Sequence, residues 1–406
     1  MKRTRYFGFV ALLLALSLVS AACASKESGG NSGGGGGGGA KPEVTLYYQG
    51  AITGPANYLI LPSYQAAKLH IDELNAQSDY PAHITLKQAD TQGSPEKAPS
   101  VVEEVVSDDT TVGVIGPGFS GESAASGDTY NDAQIPFVTA SATQTALDSN
   151  GWDYWYRAVG NDSGQGGLAG KFIPKVIKPN SLFVFHDKSD YGQPLATTVR
   201  DTVEKAGVNI AGFEGIQSGS DDFSAVISDI KASGADAAFF GGYDFDFGKI
   251  VSQAKDSGLN IDFMSGDGSL SSTFIKLAGD AAENVYLTAP TNLSGDFIQK
   301  YNQSIGSEAS SVPVYASEGY DVGGLFGEGI KQAVEDGAED STSIRAGIQK
   351  YLSGLTTSNP YHGVAKDYSF DSKHEVEASS IAALYYYYHV ESGELKPLGN
   401  AEDLGL

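Results

Sequence analysis

The groups that could do chemistry sit just after short apolar runs. Val112–Ile115 leads into Gly-Pro-Gly-Phe-Ser-Gly-Glu-Ser, residues 116–123, and Phe137–Thr139 leads into Ala-Ser-Ala-Thr, residues 140–143. Both loops are rich in hydroxyls and small residues, so backbone N–H groups are free to face a ligand. Ser120 stands where a helix should begin. There its hydroxyl and the positive end of the helix could together hold a carboxylate. A serine at that place is equally an ordinary N-cap, and the residues alone leave both readings open.

Catalytic patterns come near and fail. Gly118-Phe119-Ser120-Gly121 is followed by Glu122, where a nucleophile elbow needs glycine. Gly248-Lys249 has Tyr243 and Ile250 where a phosphate-binding loop needs glycine and a hydroxyl residue. The six histidines show no metal-ligand spacing, and one cysteine cannot build a zinc cluster. Asp244-Phe245-Asp246 lacks the further oxygens of a calcium loop. These absences point to a binding protein rather than an enzyme, with neither cofactor nor metal expected.

The N-terminus indicates where the chain works. Lys2, Arg3 and Arg5 precede an uncharged apolar run, Phe7–Val19, then Ser20-Ala21-Ala22 and Cys23. That order is a secretory signal, and the run is short for a membrane span. Cys23, the only cysteine, directly follows the small residues and so resembles the lipid-modified cysteine of a bacterial lipoprotein. The usual signal has leucine three places earlier, where this chain has Ser20. Plain cleavage and release is the other reading. Residues 1–22 are therefore expected to be the signal and 23–42 the lipidated cysteine with a tether. Ala24–Lys41 is mostly Gly and Ser, with an unbroken glycine run from Gly33 to Gly39. Such a coil spans about 20–25 Å. The protein is expected outside the cytoplasm, held to the cell membrane by its lipid, or periplasmic if the cell has an outer membrane. The formal charge of -24 excludes nucleic acid and anionic lipid surfaces as partners, since both need a basic face.

The elements that must position the loops follow a repeated rhythm. Val44–Tyr48, Ile84–Gln88, Val112–Ile115 and Phe137–Thr139 read as strands, separated by helices over 62–75, 96–106 and 121–132. The rhythm restarts after Asn161. Strands are predicted at Leu182–His186, Asn209–Phe213, Ala237–Phe240 and Phe263-Met264, with helices over 164–177, 193–206, 223–233 and 247–257. Helices are predicted over 314–334 and 343–352. Asp367–Phe370 and Ile381–Glu391 read as strands, the second turning back at Ser392-Gly393. Alternation of this kind builds parallel, doubly wound sheets, here an α/β chain of two Rossmann-like lobes. Tyr385–Tyr388 should alternate between the faces of a strand.

Several stretches together resemble the type I periplasmic binding proteins, in particular the leucine/isoleucine/valine-binding-protein family. They are ITGPANY (52–58), AAKLHIDELNA (66–76), VGVIGPGFSGES (112–123), YNDAQIPFVTASAT (130–143), YRAVGNDSGQG (156–166), HDKSDYGQPLA (186–196), DFSAVISDIKASGADAAFFGGY (222–243) and FIKLAGDAAENVYLT (274–288). The resemblance implies a three-crossing hinge near Gly160, Pro290 and Gly363. It implies one lobe over 43–160 and 291–362, a second over 161–290 and 363–406, and a cleft that closes on a small ligand. It also implies roles. Ser120, Ser141 and Thr143 would hold a ligand carboxylate, Tyr243 and Asp267 its ammonium, and Tyr191 with the region of Tyr58 would close over the side chain. A zwitterion leaving water needs both charges paired, and the Gly266-Asp267-Gly268 loop lets the aspartate approach closely. Some relatives have a cysteine just before the binding serine; here Phe119 stands there, either narrowing the pocket or filling its packing. The implied function is capture of an amino acid for an ABC transporter permease. A sensory module, or a binder of an amide, urea or aromatic acid, is the alternative.

Overall fold

In the computed structural model the described residues are 41–293, 295–307 and 313–406. The signal segment, Cys23 and the tether up to Ala40 lie outside them. Alternating side chains on each strand set the layers. In β1 (Glu43–Gly50), Leu46 and Tyr48 face one core while Tyr47 faces another. A strand buried on both faces needs helices on both.

The first sheet is parallel, in the order β2-β1-β3-β4-β5. It adds β2 (His83–Asp90), β3 (Thr111–Ile115), β4 (Phe137–Thr139) and β5 (Trp155–Arg157). One face carries α1 (Asn57–Ala76), which packs lengthwise on α10 (Ala316–Glu335), with α11 (Ser341–Ser353) beside it. The other face carries α2 (Ala98–Ser107) and α3 (Ser120–Asp132). A short helix, α9 (Phe297–Ile305), leans on α1.

The second sheet runs β14-β13-β10-β9-β8-β6-β7. Its parallel strands are β6 (Ser181–His186), β7 (Asn209–Gly215), β8 (Ala237–Gly241), β9 (Asp262–Ser265) and β10 (Tyr286–Ala289). Leu182 and Val184 pack towards α4 (Asp162–Phe172) and α5 (Gly192–Lys205). Phe183 and Phe185 join the larger core with Phe247 of α7 (Asp244–Asp256) and Ile227 of α6 (Ser224–Ser233). The helix α8 (Ser272–Ala278) packs on α7. Two antiparallel strands, β13 (Tyr386–Glu391) and β14 (Glu394–Asn400), close the edge through the Ser392-Gly393 turn. A small hairpin, β11 (Tyr361–His362) with β12 (Asp367–Tyr368), stands apart from both sheets.

The predicted strand over Ile381–Glu391 is corrected: Ile381–Leu384 is a turn of 3-10 helix, and the strand begins at Tyr386. Ile381 is two-thirds exposed, so nothing there rewards a half-buried strand. The tyrosine run does alternate. Tyr387 stacks on Phe172, while the Tyr388 hydroxyl donates to the Thr291 carbonyl on the other side. Among the described residues no helix is long and apolar enough to cross a membrane.

Candidate functional site

In each sheet the strand order reverses at one point, between β1 and β3 and between β6 and β8. Loops beyond the carboxyl ends of strands at such a point form a crevice. The two crevices meet. The pocket between them is narrow, with a cavity volume of about 10 Å³, and is lined by Leu59, Gly118, Phe119, Ser120, Ser141, Thr143, Tyr191, Tyr243 and Asp267. Six of the seven residues expected at the site are therefore brought together. Tyr58 is not among the lining. Its hydroxyl is buried beside Asp244 at the cleft edge, and its neighbour Leu59 supplies the contact instead.

The first lobe supplies donors. Ser120 opens α3, and its hydroxyl oxygen accepts the Gln144 N–H at 3.2 Å, joining the two loops. Glu122, one turn on, reaches back to the Phe119 N–H at 3.3 Å and takes the Thr91 hydroxyl. It is wholly buried, and burial pushes its carboxyl up to about 7 despite those bonds. Thr139 ties the second loop: its hydroxyl donates to the Pro117 carbonyl at 2.8 Å and its oxygen accepts the Ala142 N–H at 2.9 Å. The Ser141 hydroxyl donates to the Gly118 carbonyl at 2.7 Å. Thr143 is buried, and among the described residues its hydroxyl makes no well-formed hydrogen bond, with the Asp162 side chain beside it. A buried unpaired hydroxyl is costly unless a ligand completes it.

The second lobe supplies acceptors and rings. Tyr191, before α5, donates its hydroxyl to Asp267 Oδ1 at 2.9 Å and accepts the Gly268 N–H at 3.1 Å. That close approach requires the glycines. A Cβ on Gly266 would lie 2.6 Å from the Tyr191 hydroxyl, and one on Gly268 would lie 2.7 Å from its ring. Tyr243, before α7, stands 5.3 Å from the Tyr191 ring and meets Phe119 edge-on at 5.5 Å. Phe119 therefore both lines the pocket and carries a contact between the lobes.

Three residues of the site were not singled out in the sequence. Asp162 begins α4, its N–H donates to the Thr143 carbonyl at 2.8 Å, and its carboxylate is buried beside the Thr143 side chain with no well-formed hydrogen bond among the described residues. Burial, then the nearby Asp267, hold its carboxyl well above the usual range. Tyr315, just before α10, donates its hydroxyl to Asp267 Oδ2. Asp267 is raised by burial, against the hydrogen bonds of Tyr315 and Tyr191. Arg157 is wholly buried at the end of β5. Its Nη1 donates to the Ala142 and Gln144 carbonyls at 3.1 and 2.7 Å, and its other face grips Glu375. A signal for Asp162 was present: an acid at a helix start in an otherwise glycine-rich turn. Tyr315 and Arg157 had none, because their partners are far away in sequence.

This chain belongs to the periplasmic binding protein family, whose model matches residues 48–382. A leucine-, isoleucine-, valine-, threonine- and alanine-binding protein of Pseudomonas aeruginosa is 33% identical over 258 residues, covering 63% of this chain and 69% of the relative. A Leu/Ile/Val/Thr-binding protein of Salmonella typhimurium is 30% identical over 311 residues, covering 76% and 82%. Among solved structures, a branched-chain amino acid transporter substrate-binding protein of Streptococcus pneumoniae in complex with isoleucine superposes with a TM-score of 0.77. It is 23% identical and covers 88% of this chain and 99% of its own. The expected fold, two lobes with parallel sheets, is that of these structures.

Proposed function

We propose that this protein is the extracytoplasmic solute-binding lipoprotein of an ABC transporter, taking an amino acid into the cleft and delivering it to the permease. The observation that carries the reading is the division of the pocket. Hydroxyls of Ser120 and Thr143, with the Ser141 loop, line one wall, and the buried carboxylate of Asp267 stands on the other side. An α-carboxylate has donors on the first wall and an ammonium has acceptors on the second. An amide, urea or aromatic acid lacks the ammonium that a buried aspartate would pair with by a charge-assisted hydrogen bond. Binding of amino acids by the two bacterial relatives agrees with this. Tyr191 and Leu59 would enclose the side chain, and Tyr243 would stand with Asp267 at the ammonium.

The lobes would be 43–160 with 291–362, and 161–290 with 363–406. Only the closed form satisfies both ends of a zwitterion, so ligand favours closure by its differential affinity. Cys23 would hold the protein to the outer face of the membrane by its lipid.

Calorimetric titration of the protein against the twenty L-amino acids, with amides and aromatic acids alongside, tests the assignment. Saturable binding of an amino acid, abolished in Asp267→Ala, is the expected result. Binding confined to an uncharged or singly charged ligand would refute it.

A further inference from the structure

Tyr315 has a backbone that its side chain should avoid. It sits at φ 63° and ψ 1°, the left-handed region where a β-carbon is crowded and glycine is the easy choice. Yet the position holds a tyrosine that is wholly buried. Such an outlier persists only where the surroundings over-determine it. A phenylalanine would fill the same volume without a buried hydroxyl in need of a partner. The hydroxyl has one, and it belongs to the other lobe: Tyr315 leads into α10 of the first lobe and donates to Asp267, which follows β9 of the second.

We infer that Tyr315 is the positioning residue of the cationic end of the site, orienting Asp267 and joining the two lobes through it. This rests on the cleft reading above. Tyr191 holds one oxygen of Asp267 and Tyr315 the other, one from each lobe. A carboxylate has about four lone-pair sites; Gln165 also reaches Asp267, which leaves at least one for the N–H groups of a ligand. With both oxygens held, the carboxylate cannot rotate and its remaining lone pairs point in fixed directions. Ligand affinity then depends on a residue that need not touch the ligand. The same bond forms only when the lobes are together, so it favours the closed arrangement.

The test uses the full-length chain as wild type, Tyr315→Phe, Asp267→Asn and the double variant. Each is titrated with whichever L-amino acid binds the wild type tightest. Tyr315→Phe keeps the ring and should bind about 10- to 100-fold more weakly, the scale of one lost hydrogen bond to a charged group. The double variant should bind no more weakly than Asp267→Asn alone, which a packing role for Tyr315 would not produce. Affinity of Tyr315→Phe within about twofold of wild type, losses that multiply in the double variant, or tighter binding would each overturn the assignment. An unchanged affinity in Asp267→Asn would instead overturn the cleft reading. Small-angle scattering of the ligand-free proteins supplies a readout independent of ligand identity. A larger radius of gyration in Tyr315→Phe supports the inter-lobe bond, and an equal radius overturns it.

Discussion

Glu375→Ala should be among the most damaging single changes outside the pocket. Glu375 receives Arg157 Nε on both oxygens at 3.0 Å and Nη2 at 2.6 Å. The arginine side chain is fully buried and the glutamate side chain 11% exposed. Removing the acid strands a guanidinium whose only remaining acceptors are the Ala142 and Gln144 carbonyls. Breaking a buried pair from one side costs about 3–5 kcal/mol, because the other charge is left without compensation. The loss should appear in urea unfolding as a lower midpoint at unchanged slope. Glu375→Gln, which keeps an acceptor oxygen, should cost less. The two carbonyls flank Thr143, so Glu375→Ala should also weaken ligand binding in the folded protein. A destabilisation under about 1 kcal/mol, with ligand affinity intact, would show that the pair neither holds the fold nor shapes the loop, and would refute the reasoning.

Three further outcomes are expected. Burial and the nearby Asp267 hold the Asp162 carboxyl above its ordinary range, so an ammonium held by Asp267 should ease ionisation of Asp162. Affinity should therefore rise with pH through that titration, and calorimetry in buffers of different ionisation enthalpy should report proton release that Asp162→Asn abolishes. For stability the sign is opposite to that of an ordinary salt-bridged acid. Glu122 keeps its proton in the folded state up to about 7, whereas the unfolded value is 4.5. Between those values only the folded chain holds the proton, so stability falls as pH rises, by up to about 3 kcal/mol. Asp244 and Asp321, also pushed up to about 7 by burial, act in the same direction. A higher urea midpoint at pH 5 than at pH 7, with the difference reduced in Glu122→Gln, would bear this out. Gly268→Ala would drive a Cβ to 2.7 Å from the Tyr191 ring and 2.9 Å from the Gly242 carbonyl. It should lower ligand affinity at least tenfold by displacing Tyr191 from Asp267, and titration of the purified variant checks it.

What the sequence determined by itself was local or periodic. Short apolar runs at Val112–Ile115 and Leu182–His186 defined strands. Helical spacing defined α1, although Pro62 lies inside that helix instead of opening it. Glycines around Asp267 marked a loop that permits close approach, and Ser120 marked a helix start. Short elements such as Trp155–Arg157 and Tyr286–Ala289 escaped notice, since three or four residues carry too little pattern to tell strand from loop. Tertiary structure alone decided which charges are matched. Arg157 and Glu375 are far apart in the chain, as are Tyr315 and Asp267, and no spacing rule connects them. Tyr58 was the residue expected at the pocket, and only the rotation of α1 placed Leu59 inward instead. Asp162 was not singled out until the two lobes closed over it. Burial then turned an ordinary carboxylate into one whose charge needs a partner, because the free energy of a charge depends on what surrounds it and not on its neighbours in sequence.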